Sequence, residues 1–117
     1  VATMSGGTPS EVTVEDLQLW GQHAWKAEHG TVEAATRFGD KLVEETSEFD
    51  ESLVAFINNP SEETKHAAIS EAGDVLWYLA RVATELGVSL TDIADANIRK
   101  LSDRRNRGVL GGEGDNR

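Results

Sequence analysis

Apolar residues recur at helical spacing along most of the chain, and the polar interruptions between these runs divide it into four predicted helices. In the first, Leu17, Trp20 and Ala24 share one face, Thr13 is placed as the N-cap, and the helix ends near Gly30. Trp25 lies beside that face. A second helix is predicted over about 31–58, because Phe38, Leu42, Phe49, Leu53 and Phe56 return at steps of three, four or seven. Asn58, Asn59 and Pro60 stop it. Pro60 or Ser61 opens a third helix, capped by Asn59 or Ser61, with Glu62 and Glu63 near its positive end and Gly87 at its close. Within it, Val75 to Ala80 is apolar all round, the pattern of a central helix packed on several sides. Ser89 and Asp92 have capping-box spacing for a fourth helix reaching about Arg105.

These elements predict an all-α fold, a four-helix antiparallel bundle, since all three connections are short. A chain of 117 residues with an element apolar on every side is expected to complete its core by oligomerisation, as a homodimer or homotetramer. Residues 1–12 read as a flexible arm of Gly, Ser, Thr and Pro, 13–107 as the helical domain, and 108–117 as a Gly-rich tail. There is no strand candidate of useful length and no internal repeat.

Charge narrows the function. Acids outnumber bases 21 to 11, for a formal charge of −10, which repels polyanions and argues against a nucleic-acid polymer or an anionic membrane as partner. Against that background, Arg99, Lys100, Arg104, Arg105 and Arg107 crowd one short stretch, where they can gather a small anion. The absence of cysteine excludes disulfides, Cys-based zinc sites and thiol catalysis. With no apolar run of membrane-spanning length and no signal-peptide pattern, a cytoplasmic location is expected.

The candidate chemistry sits where charge interrupts the apolar stripe. Between Leu42 and Phe49 the stripe passes through Glu45, with Glu48 one turn later and Glu44 beside the pair. The third helix repeats the arrangement with Glu71 and Asp74. If these helices pack antiparallel, both i,i+3 pairs point into one gap and can surround one or two divalent ions. Oxygen ligands without His or Cys favour Mg²⁺, with Mn²⁺ as substitute, over zinc. Gly73 would suit a close approach there. The alternative is that each pair is a solvated helix face. His23, His29 and His66 have no ligand spacing.

The blocks Lys41-Leu42-Val43-Glu44-Glu45-Thr46-Ser47-Glu48, Glu71-Ala72-Gly73-Asp74-Val75-Leu76-Trp77-Tyr78-Leu79 and Asn97-Ile98-Arg99-Lys100-Leu101 together resemble a MazG-type nucleoside triphosphate pyrophosphohydrolase. That family belongs to the all-alpha NTP pyrophosphatase superfamily, whose signature is EExxE followed by ExxD. The resemblance spans about residues 14 to 108. It implies hydrolysis of a (d)NTP to the monophosphate and pyrophosphate, possible service in clearing nucleotide pools, and Mg²⁺ held by Glu45, Glu48, Glu71 and Asp74. It also implies catalytic roles for Glu48 and for Glu44, the latter as general base or as the group orienting the attacking water. Asn97, Lys100 and Arg104, spaced by three and four, would meet the triphosphate, with Lys41 a weaker contact; Tyr78 and Trp25, and less so Trp20, would lie against the nucleoside. Phosphoribosyl-ATP pyrophosphatase and a dUTP- or dCTP-specific hydrolase share the acid pattern. A non-enzymatic helical oligomer that binds divalent cations or a nucleotide is the alternative of another class.

Overall fold

The computed structural model describes residues 11–24 and 29–108, which form four α-helices: α1 (Val14–Ala24), α2 (Val32–Asn58), α3 (Glu62–Leu86) and α4 (Leu90–Asn106). The expected arm and most of the expected tail, like Trp25, lie outside the described residues. Local chemistry accounts for the helix boundaries. Thr13 and Asp16 cap α1 reciprocally, the hydroxyl accepting from Asp16 N at 3.2 Å and the carboxylate from Thr13 N at 3.0 Å. Thr31 accepts from Ala34 N to open α2, while Ser61 with Thr64 and Ser89 with Asp92 form capping boxes on α3 and α4. Gly87 ends α3 at φ +74°, a backbone angle that a side chain would strain.

Among the described residues α3 is central. The antiparallel hairpin α2–α3 is the largest helix pairing, and α2 touches no other helix; α1 and α4 pack on α3 and on each other. The core sits at that end, where Ala80, Ala83 and Leu90 are buried with Leu76, Leu79, Val88 and Ile93 packed around them. On α2 only Ala34 and Phe38 are buried, and Leu42, Glu45, Phe49, Ser52 and Phe56 continue the same stripe half-buried against α3. The hairpin's far end is therefore thinly covered, with Leu53, Val54, Ile57 and Ile69 exposed.

Two local expectations are corrected. The face of α1 that packs inward carries Gln18 and Gly21, with Leu17 half-buried, while Trp20 stays 48% exposed and meets the Trp77 ring edge-on at 6.2 Å. Polar bonding decides this. Gln18 Nε2 donates to Val88 O at 2.9 Å and to Thr84 Oγ1 at 3.3 Å, and Gln18 Oε1 accepts from Leu90 N at 2.9 Å, so one amide ties α1 to the α3–α4 turn. The close approach expected at Gly73 is also absent, since an added Cβ would meet nothing within 4 Å. It occurs at Gly21, where a Cβ would stand 2.6 Å from the Arg81 guanidinium.

Candidate functional site

The α2–α3 hairpin sets the two acid pairs against each other. Carboxylate oxygens of Glu45, Glu71 and Asp74 all lie within 4.8 Å of one another. Glu48, one turn beyond Glu45, stands close enough to share a proton with it, and Asp74 stands likewise to Glu71. Such contacts between acids require a shared proton or a cation. The Glu45 carboxyl is accordingly raised to about 7, by its hydrogen bond to Glu48 first, then by burial and the charges of Glu48 and Asp74, with Lys41 offsetting part. Glu71 is raised as well, chiefly by loss of solvent and then by Asp74 and Glu48. An octahedral cation with bonds of about 2.0–2.1 Å holds adjacent ligand oxygens about 3 Å apart and opposite ones about 4 Å apart, so small side-chain adjustments would fit this donor set to Mg²⁺. All four groups are hard oxygen donors, and among the described residues none is ion-paired with a basic side chain.

Beside the cluster, Lys41 Nζ is 3.4 Å from Glu44 Oε1 and 5.8 Å from the centre of the Tyr78 ring. The bond to Glu44 is the main reason the Lys41 ammonium titrates above its usual range. Glu44 itself is exposed and stands outside the group of converging acids. Tyr78, one turn after Asp74, is half-buried at the inner end of the same gap.

The fourth-helix residues are elsewhere. Asn97 and Lys100 border an open groove of about 630 Å³ between α1, α3 and α4, floored by Leu76, Leu79 and Ile93. Arg104 is buried at 8% exposure. Among the described residues α4 packs on α1 and α3 and makes no backbone contact with α2.

Gln18, Arg81 and the covered Glu85 side chain were not singled out from sequence. Gln18 clamps α1. Glu85 accepts from Gly30 N at 2.7 Å and pairs with His29 Nδ1 at 3.1 Å, fixing the segment before α2 onto α3. Burial works against its charge, but those bonds and nearby Arg81 outweigh it and hold the carboxyl below its usual range. Arg81 is fully buried, its Nη2 donating to Gln18 O at 2.9 Å and its guanidinium 5.6 Å from the Trp77 ring centre. The sequence did hold a signal for it: a single cation interrupts the apolar run Leu76-Trp77-Tyr78-Leu79-Ala80-Arg81-Val82-Ala83.

Residues 34–109 match the model of the MazG nucleotide pyrophosphohydrolase domain. Over 57 residues the chain is 42% identical to the Gene 37 protein of Mycobacterium phage L5, a stretch covering 49% of this chain and 50% of that protein. The chain thus spans about half the length of the curated relative it matches. No solved structure gives a significant match. No helix among the described residues is long and apolar enough to cross a membrane.

Proposed function

This chain belongs to the MazG nucleotide pyrophosphohydrolase domain family, and on that footing we propose that it hydrolyses nucleoside triphosphates to the monophosphate and pyrophosphate with the help of Mg²⁺. The observation that carries this reading is the convergence of Glu45, Glu71 and Asp74 within 4.8 Å across the α2–α3 gap. A triphosphate, itself polyanionic, enters an acidic gap only if the local charge is reversed. Glu45, Glu48, Glu71 and Asp74 would hold the divalent ion, which supplies that positive charge and acidifies water near it.

In the reaction a water oxygen bonds to the α-phosphorus, the bond from that phosphorus to the bridging oxygen breaks, and pyrophosphate leaves. The water's proton goes to a carboxylate. Glu48 is the better placed acceptor, since it belongs to the cluster through Glu45; Glu44, exposed and ion-paired with Lys41, orients from outside or relays the proton to solvent. Lys41 and Tyr78 flank the gap, where they would meet phosphate and nucleoside respectively.

Lys100 and Arg104 would neutralise the phosphate tail, and Asn97 would donate a hydrogen bond to it. Among the described residues their helix makes no backbone contact with α2, and the hairpin leaves apolar side chains exposed, which supports a homodimer or homotetramer in which α4 of one copy approaches the acidic gap of another. A cytoplasmic nucleotide-pool role fits this reading.

The test is incubation of the protein with a panel of (d)NTPs and Mg²⁺, assayed for pyrophosphate. Release from several nucleotides is expected. Release from phosphoribosyl-ATP alone, or from dUTP or dCTP alone, would narrow the substrate to that class. Nucleotide binding without any release would overturn the reading in favour of a non-enzymatic binding oligomer.

A further inference from the structure

Among the described residues Arg81 is the largest side chain with no solvent exposure. Its guanidinium makes one hydrogen bond, from Nη2 to Gln18 O, and neither Nε nor Nη1 finds an acceptor among the described residues. The nearest acid does not resolve this, because Glu85 directs its carboxylate to Gly30 N and His29. Stability does not explain such an arrangement: a buried ion with unmet donors is often replaced by an apolar side chain of similar length at no loss, or with a gain.

Position offers an explanation. Glu71, Asp74, Tyr78 and Arg81 follow one another at steps of three, four and three, so they share one face of α3. Arg81 lies about 10 Å along the helix axis from Asp74, from seven residues at about 1.5 Å each. An extended nucleoside triphosphate is longer than that. The covering element is α1, whose Gly21 rests directly on the guanidinium. Gln18 pins the middle of α1 and the Glu15–Thr91 bond its first turn, whereas beyond Gly21 the described hold is the exposed Gln22–Thr84 bond at 3.2 Å.

Building on the nucleotide reading above, we propose that Arg81 is a substrate-binding residue whose Nε and Nη1 take oxygen acceptors of the nucleotide when the last turns of α1 lift from α3. The acceptor belongs either to a phosphate or to the base or sugar. Both present the same chemistry to a guanidinium, and only the probe distinguishes them.

Calorimetric titration of wild type, Arg81→Met and Arg81→Lys with a non-hydrolysable nucleoside triphosphate and Mg²⁺ tests this, alongside tripolyphosphate as a second probe and thermal melting of each protein. The expected result for Arg81→Met is a Tm equal to or above wild type with nucleotide affinity weakened about tenfold to a hundredfold, the effect of losing charge-assisted hydrogen bonds. Arg81→Lys, which keeps the charge but not the fork of donors, should fall between. Equal weakening toward tripolyphosphate assigns the contact to phosphate; weakening toward the nucleotide alone assigns it to base or sugar. Wild-type affinity in Arg81→Met overturns the proposal, and so does wild-type affinity in Arg81→Lys if the Met variant fails to fold. Pyrophosphate release by wild type is read separately. Turnover with unchanged Arg81→Met binding removes this residue and leaves the hydrolase; weakened binding without wild-type turnover does the reverse.

Discussion

Glu48→Gln and Asp74→Asn remove a charge from a group of mutually repelling acids, so the metal-free fold should keep or raise its Tm while turnover drops at least about a hundredfold. Steady-state pyrophosphate assays and melting curves on the same preparations check both halves; near-normal turnover in the two variants would be incompatible with the assigned site. Glu45 makes a separate prediction about pH. Its carboxyl keeps a proton up to about 7 in the fold against an ordinary 4.5. The folded chain therefore binds a proton that the unfolded chain has released. This group's contribution favours the native state below about 4.5, weakens as pH rises toward about 7 and is level above that. Metal-free melts should show Tm falling over that window, with a shallower fall in Glu45→Gln and in wild type supplied with Mg²⁺. Glu45 was legible in the sequence because it breaks a periodic stripe. Arg81 and Gln18 were less so, since whether a polar residue on an apolar helix is buried depends on which neighbour covers it.

Elements were legible wherever their limits are set locally. Thr31, Ser61 and Ser89 cap the helices they precede through bonds spanning only three residues, and Gly87 closes α3 through its own backbone angle. How α1 packs could not be read that way, because its inward face depends on contacts 66 to 72 positions away, as in Gln18 with Thr84, Val88 and Leu90. Replacing Gln18 with Leu would strand Leu90 N and Val88 O in a buried corner, at a cost of about 2–4 kcal/mol for two unmet backbone groups. Urea unfolding should register that loss, while pairing within the α2–α3 hairpin should persist because none of its bonds involve Gln18. A variant as stable as wild type would show that the amide clamp carries no weight.

For the whole molecule, the four helices and their all-α class followed from the periodicity, whereas the distribution of contacts did not. A repeating stripe identifies the face to be covered without saying which helix, or which chain, covers it. Leu53, Val54, Ile57 and Ile69 remain exposed on the hairpin's outer end. Sedimentation should give a mass that is a multiple of the chain's, and Ile57→Glu should shift it toward the monomer; a monomeric wild type at micromolar concentration would argue against assembly through this surface.

Because α2 leans on α3 alone among the described residues, with the Asn59–Ser61 turn at one end and the Glu85 latch at the other, the acidic gap works like a pair of tongs sprung at both tips and pushed apart at the middle. Filling that middle with a cation should quiet breathing motions there first. Amide deuterium uptake around Glu45 and Asp74 should slow on adding Mg²⁺, with α1 and α4 exchanging as before.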